Sequence, residues 1–111
     1  MSGISSHVLD TSIGAPATAV QVRLDVSEAD GAWRSVATAR TDSDGRAQLA
    51  AGPLARATYR VTFETGAYFE ATRRPIFYPL VEVIFRIDDA GAHYHVPLLL
   101  SPFGYCTYRG S

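Results

Sequence analysis

Residues 93–100 have the sequence His-Tyr-His-Val-Pro-Leu-Leu-Leu, and this stretch decides the fold class. Its alternation predicts a β-strand that is apolar on its inward face and partly apolar on the other. The inward face carries Tyr94, Val96, Leu98 and Leu100, and the outward face carries His93, His95, Pro97 and Leu99. The outward face of an isolated sandwich is normally polar along its length. We therefore expect a partner subunit to cover this face; an apolar patch exposed on a monomer is the alternative.

The same alternation predicts short strands along most of the chain. They are expected at residues 20–26, 33–40, 46–50, 59–63, 81–87 and 103–109. Helical spacing predicts one short helix over residues 66–73, which ends before Pro75. Turn signals such as Asp-Ser-Asp-Gly at 42–45 separate the strands. Regularly spaced short strands with turns indicate a β-sandwich, and 111 residues suffice for one domain spanning 1–111.

Composition excludes several function classes. The net charge is -1, so nothing favours binding to nucleic acid or to an acidic membrane surface. All ten basic residues are arginines, which excludes a Schiff-base lysine and a phosphate-binding P-loop lysine. The single cysteine, Cys106, cannot form an internal disulfide, and three histidines in two segments match no zinc spacing. We expect a cytoplasmic protein without a signal peptide, a membrane span or a metal.

Four short motifs carry the residues that suit acid–base chemistry or anion recognition. They are His7-Val-Leu-Asp10, Asp44-Gly-Arg46, His93-Tyr-His-Val-Pro-Leu98 and Tyr108-Arg-Gly-Ser111. Each histidine has an alternative, purely structural interpretation as a hydrogen-bonding group at a strand end. Arg46 has the alternative interpretation of a solvated charge after a turn. The alternative interpretation of Arg109 is that it neutralises the terminal carboxylate. His95 is the strongest candidate, because alternation points it away from the core. The Gly-x-Ser-x-Gly elbow of serine hydrolases is missing, and Cys106 as a nucleophile is a weaker alternative.

Together these four motifs make the chain resemble the transthyretin-like 5-hydroxyisourate hydrolases of purine degradation. The resemblance implies an all-β, transthyretin-like sandwich of two four-stranded sheets with one short helix. It also implies a homotetramer, with sites in a channel between dimers and no metal or organic cofactor. Carried over by motif, the catalytic residues are His7, Arg46, His95 and Ser111. The residues that bind the substrate, 5-hydroxyisourate, are Tyr108, Arg109 and Gly110.

The implied reaction opens one substrate ring by hydrolysis at a carbonyl–nitrogen bond. A neutral imidazole with a pKa of about 6.5 is suited to deprotonating the water, and either His7 or His95 is a candidate for this role. Arg46 would hold the flat substrate and stabilise negative charge, and Ser111 would add to the hydrogen bonds of the water. A carrier of apolar hormone-like ligands is the alternative within the same fold. An immunoglobulin-like module is less well supported, because its Cys and Trp spacing is missing.

Overall fold

The computed structural model describes residues 2–111 and consists of two β-sheets and one short helix. The strands are β1 (Gly3–Asp10), β2 (Ala15–Pro16), β3 (Gln21–Ser27), β4 (Trp33–Arg40), β5 (Arg46–Ala51), β6 (Ala57–Phe63), β7 (Val81–Ile87), β8 (His93–Ser101) and β9 (Gly104–Thr107), and the helix is α1 (Thr65–Ala71). The predicted all-β class with one short helix is confirmed. Within the described residues, no helix has the length and apolar composition needed to cross a membrane.

The two sheets differ slightly from the predicted pair of four-stranded sheets. One sheet has the expected four strands in the order β4-β3-β6-β7. The other sheet has five strands. β1 pairs with β8 on one side and with both β2 and β5 on the other, and β9 pairs with β8 to form the outer edge. The additional strand, β2, has only two residues, and it pairs antiparallel with the end of β1 after a turn at Gly14. The pairing of β1 with β8 is parallel.

Strand β1 is the one long strand that the sequence did not predict. Its inward face carries Ile4 and Val8, but also Ser6 and Asp10, and all four are buried. Two polar residues on a core face weaken the apolar alternation on which the prediction depended. Burial of the hydroxyl is possible because Ser6 Oγ donates a hydrogen bond of 2.7 Å to the carbonyl oxygen of Val96 on β8.

The core lies between the inward faces of the two sheets. Tyr94, Leu98 and Leu100 of β8 are buried there, as the alternation predicted. They pack with the apolar residues of β3 and β6 and with Phe69 of α1. The outward face of β8 is therefore left for other contacts, and it is on this face that the candidate site lies.

A closed polar network attaches α1 to the end of β1. The buried Asp10 accepts hydrogen bonds from Tyr68 Oη at 2.7 Å, from Ser12 Oγ at 2.5 Å and from the guanidinium of Arg74. Burial tends to raise the pKa of Asp10, but these hydrogen bonds and the charge of Arg74 outweigh it and lower the pKa from 3.8 to about 2. Asp10 is thus a paired carboxylate that joins the helix to the sheet.

Candidate active site

The outward face of the five-stranded sheet brings together residues from three distant motifs. His7 on β1 lies directly opposite Arg46 on β5. On the other side of β1, Ser5 lies opposite His95 and His7 lies opposite Pro97. Residues opposite one another in neighbouring strands project to the same face, so three adjacent strands present the two histidines and the arginine together.

His7 is oriented by the turn that leads into β5. Its Nε2 atom lies 2.7 Å from the carbonyl oxygen of Asp44. A carbonyl oxygen only accepts hydrogen bonds, so Nε2 of His7 carries the proton and donates it. The neutral His7 ring therefore keeps an unprotonated Nδ1 that can accept a proton.

The turn itself is held by Asp42 and by a close contact with β1. Asp42 Oδ1 accepts hydrogen bonds from the backbone N–H groups of Asp44 at 2.8 Å and Arg46 at 3.0 Å. The hydrogen bond from Arg46 is the main reason that the pKa of Asp42 is lowered. Gly45 adopts φ +77°, and a side chain there would collide with the carbonyl oxygen of Val8. This turn therefore sets where Arg46 enters the sheet beside His7.

The side chain of Arg46 is exposed. Among residues 2–111, its guanidinium forms no hydrogen bond and no ion pair. A cation without a carboxylate partner can bind an anionic or oxygen-rich ligand without first breaking an internal pair.

His95 is half-buried and is joined to His93 through a serine. Ser5 Oγ lies 2.9 Å from His95 Nδ1 and 2.8 Å from His93 Nε2. Burial lowers the pKa of His95, and the charges of His7, Arg46 and His93 lower it further. His95 is consequently held in its neutral form near neutral pH, as a general acid–base group requires.

Ser5 was not among the site residues predicted from the sequence, and His93 was predicted to be a hydrogen-bonding residue near a strand end. Ser5 precedes His7 by two positions, so strand periodicity alone would have placed both on one face if β1 had been predicted. The contact of Ser5 with two histidines about 90 positions away in the chain depends on the parallel pairing of β1 with β8.

The C-terminal segment reaches His95 through Gly110. The backbone N–H of Gly110 donates a hydrogen bond of 2.9 Å to the carbonyl oxygen of His95. A Cβ atom at position 110 would lie 2.5 Å from Cδ2 of the His95 ring. Glycine is thus required by the close approach of the tail to the ring. Ser111 follows directly and is exposed, as is Tyr108.

Arg109 lines a surface cavity together with Tyr94, His95 and Tyr108. Its guanidinium lies 4.5 Å from the ring centroid of Tyr94, an inward-facing residue of β8. This cation–π contact packs the Arg109 guanidinium on the ring of Tyr94. Within one chain Arg109 has a packing contact, and its predicted role in binding substrate stays a prediction.

Cys106 is exposed and lies opposite Leu99, on the outward face of the sheet. Over residues 2–111, no three His, Cys, Asp or Glu side chains converge as ligands for a metal ion.

This fold and these motifs correspond to one protein family. The profile of the family described as "HIUase/Transthyretin family" matches residues 4–110. The chain belongs to the HIUase/Transthyretin family. The family predicted from the four motifs is therefore confirmed.

Relatives and solved structures of the HIUase/Transthyretin family include enzymes and a hormone-binding protein. The chain is 46% identical to the 5-hydroxyisourate hydrolase of Caulobacter vibrioides over 117 residues, covering 100% of both chains. It is 46% identical to that of Salmonella typhimurium over 110 residues, which cover 97% of this chain and 80% of the relative. The predicted enzyme class, a hydrolase, is confirmed by these relatives.

Two solved structures show the same fold. One is Klebsiella pneumoniae 5-hydroxyisourate hydrolase, with a TM-score of 0.87 and 38% identity over 99% of this chain and 100% of that one. The other is sea bream transthyretin in complex with thyroxine, with a TM-score of 0.91 and 34% identity over 96% of this chain and 93% of that one. Overall shape therefore does not separate hydrolase from carrier, and the residues of the outward face must do so.

Proposed function

We propose that this chain hydrolyses 5-hydroxyisourate to 2-oxo-4-hydroxy-4-carboxy-5-ureidoimidazoline in urate degradation, without a metal or an organic cofactor. The observation that carries the proposal is the meeting of His7, Arg46 and His95 on one sheet face, in register across three strands. Relatives that are named 5-hydroxyisourate hydrolases and are 46% identical support the choice of substrate.

The proposed hydrolysis needs a base that deprotonates the water, a cation that stabilises negative charge and a donor that protonates the leaving nitrogen. The oxygen of a water molecule forms a bond to the carbonyl carbon while a histidine removes its proton. Negative charge that develops on the carbonyl oxygen is stabilised by Arg46, whose fork of N–H donors has no internal partner among the described residues. The carbon–nitrogen bond then breaks, and a proton moves to the leaving nitrogen. The products keep every atom of the substrate and of the water.

The C-terminal segment contributes through its position beside His95. Gly110 pairs with the backbone of His95 and contacts its ring, so Ser111 follows immediately at the edge of the site. Its hydroxyl would hydrogen-bond to the attacking water. Tyr108 is exposed on the same segment and would contact the substrate.

The polarity of this face favours hydrolase over carrier. An apolar hormone bound on this face would cover two histidines and an exposed arginine, and each of these polar groups would lose hydration without gaining a partner. A small oxygen-rich substrate instead supplies acceptors for the arginine and the histidines.

We extend the proposal to a homotetramer. Edge strands β7 and β9 lie on one side of the sandwich and carry exposed apolar side chains, including Ile84 and Tyr105, which are 60% and 43% exposed. Uncovered edges of this kind favour pairing with another copy. Light scattering should give about four times the 12.0 kDa of one chain, and a monomer would contradict this part of the proposal. The cytoplasmic location stays a prediction, which cell fractionation tests.

The decisive assay follows the ultraviolet absorbance of freshly generated 5-hydroxyisourate with and without the protein. We expect the protein at micromolar concentration to accelerate decay strongly and to bind thyroxine weakly. Arg46→Lys should remove most of the acceleration, because an ammonium group does not reproduce the bidentate fork. The matched control is Arg56→Lys, at an exposed arginine outside the site, which should behave as wild type. Unchanged decay with the wild-type protein would defeat the hydrolase proposal, and tight thyroxine binding would support the carrier.

A further inference from the structure

A single serine hydroxyl joins the two histidines of β8. Ser5 Oγ lies 2.8 Å from His93 Nε2 and 2.9 Å from His95 Nδ1, and all three side chains are half-buried. A hydroxyl has one proton, so it donates only one hydrogen bond. Between two neutral imidazoles, Ser5 must therefore donate to one ring and accept from the other. Two arrangements satisfy this condition, and they place the proton of His95 on opposite nitrogens.

The environment of His93 selects one of the two arrangements. Its Nδ1 atom is buried and has no hydrogen-bond partner among the described residues. A buried N–H without an acceptor is rarer and more costly than an unpartnered acceptor. The proton of neutral His93 is therefore placed on Nε2, which donates to Ser5. Ser5 must then donate to Nδ1 of His95, so the proton of His95 lies on Nε2.

We propose that Ser5 and His93 are positioning residues that hold His95 in the tautomer protonated on Nε2, which makes His95 a hydrogen-bond donor in the hydrolysis. This inference rests on the proposed hydrolase function, and it assigns to His95 the role of a neutral hydrogen-bond donor to the substrate. Neither Ser5 nor His93 needs to touch the substrate; both act through the orientation and the proton of the His95 ring.

The electrostatics of the face agree with this arrangement. A doubly protonated His95 would donate from Nδ1 and so reverse the hydrogen bond with Ser5. Protonation is opposed by burial and by His7 on β1, Arg46 on β5 and His93 on β8, which together lower the pKa of His95. Neutral His95, bonded to Ser5 through Nδ1, is the form that the site favours.

His7 is held in the complementary state. Its Nε2–H donates to the carbonyl oxygen of Asp44, so its Nδ1 is the free acceptor. The face thus presents one histidine that can take a proton and one that can donate a hydrogen bond. In the hydrolysis, His7 Nδ1 takes the proton of the attacking water as the new carbon–oxygen bond forms. His95 Nε2–H donates a hydrogen bond to the carbonyl oxygen as negative charge develops there. The protonated His7 then gives the proton to the nitrogen as the carbon–nitrogen bond breaks, so both rings end neutral.

The tautomers are measurable without substrate. The chain has only three histidines, so a ¹⁵N–¹H correlation spectrum of the ring nitrogens of the full-length protein contains three sets of signals. Single His→Gln variants assign them. We expect His95, His93 and His7 each to be protonated on Nε2 near neutral pH. Protonation of His95 on Nδ1 would overturn the proposal.

Variants at position 5 test the mechanism of positioning. Ser5→Ala should remove the preference for the Nε2 tautomer of His95 and reduce kcat by about 10- to 100-fold, with KM nearly unchanged. Ser5→Thr keeps the hydroxyl and should retain both the Nε2 tautomer of His95 and the wild-type kcat. If Ser5→Ala keeps wild-type tautomers and wild-type kcat, Ser5 has no positioning role and the proposal is wrong.

The matched control lies one residue away on the same strand. Ser6→Ala removes the hydrogen bond to Val96 on the inward face, and we expect it to lower the melting temperature without changing the tautomers or the shape of the pH profile. At position 93, His93→Gln keeps an N–H donor near Ser5 and should retain more activity than His93→Leu. Equal activity of these two variants would contradict the role of His93. If the wild type itself has no turnover, the proposed function fails, whereas the ring spectra still decide whether Ser5 and His93 set the tautomer.

Discussion

Strand β1 carries two polar clusters, one around His7 and one around Asp10, and they are built in opposite ways. The cluster at Asp10 is closed: both carboxylate oxygens accept hydrogen bonds, and the charge is paired with Arg74. The cluster at His7 is open, because Arg46 and two histidines share a face that has no carboxylate ion-paired to them among residues 2–111.

The pKa shifts reflect this difference. Hydrogen bonds and a cation lower the pKa of Asp10 to about 2, so its charged form is stabilised by the fold. Burial and nearby cations lower the pKa of His95, so its charged form is destabilised. A satisfied network contributes stability, whereas a set of uncompensated groups keeps donors and acceptors available for a ligand. The two clusters therefore should respond to mutation in separate ways.

The largest effect should come from the open cluster. His7→Asn or His95→Asn should reduce kcat by about 10² to 10⁴-fold, the usual range for a positioned acid or base. The melting temperature should change little, because both side chains project from the outward face of the sheet. Initial rates and thermal unfolding of each variant test this prediction. Near-normal turnover in both variants would show that this face is not the active site.

Breaking the closed cluster should do the reverse. Asp10→Asn removes the charge that faces Arg74 and should lower the free energy of unfolding by about 2–3 kcal/mol, with the specific activity of the folded protein preserved. Asp88→Asn is the control, because its pair with Arg86 is exposed and contributes little. Chemical denaturation measures both. Equal stability of the two variants would contradict the structural role of the Asp10 network.

The two clusters should also titrate in different pH ranges. The folded pKa of Asp10, about 2, lies below its ordinary 3.8. Its contribution to stability is therefore fully present above pH 3.8 and is lost as the pH falls through 2. The neutral form of His95 is also lost as the pH falls. Because burial lowers the pKa of His95 below its ordinary 6.5, this loss occurs at a pH below 6.5. Between these ranges we expect a folded protein with reduced kcat, measured by circular dichroism and turnover in parallel. Simultaneous loss of structure and activity would contradict this separation.

A smaller effect is expected where the tail meets the open cluster. Gly110→Ala would place a Cβ atom 2.5 Å from the His95 ring, so either the ring or the tail must move. We expect kcat to fall by about tenfold, since displacement of a catalytic group by part of an ångström is enough to slow the reaction. Gly91→Ala is the control, because its nearest neighbour is an Asp89 side-chain oxygen at 3.5 Å. Wild-type kcat in Gly110→Ala would show that the approach of the tail is unimportant.

The smallest effect should come from the chain end itself. Ser111→Ala removes one exposed hydroxyl. A loss of about one hydrogen bond predicts a decrease in kcat of a few-fold with unchanged stability. A parallel fall in melting temperature would indicate a packing role for Ser111 instead.

Most of the strands were predictable because their inward faces are apolar. The expected strands at 33–40 and 81–87 match β4 and β7 residue for residue. Strand β1 was not predictable in this way, since Ser6 and Asp10 occupy its core face and are satisfied by partners far away in the sequence. Periodicity records only which side chains are apolar, and it contains no information about a distant hydrogen-bond partner.

The amino-acid sequence by itself determined the family, the sandwich and the identities of His7, Arg46 and His95 as candidates, because these follow from local alternation and from short motifs. Only the tertiary structure decided how they meet. The parallel register of β1 and β8 placed Ser5 between His93 and His95. The physical reason is that a hydrogen bond requires its donor and acceptor to be placed to within a few tenths of an ångström. Ser5 and its histidine partners are about 90 residues apart in the sequence, so this precision arises only when both sheets are packed.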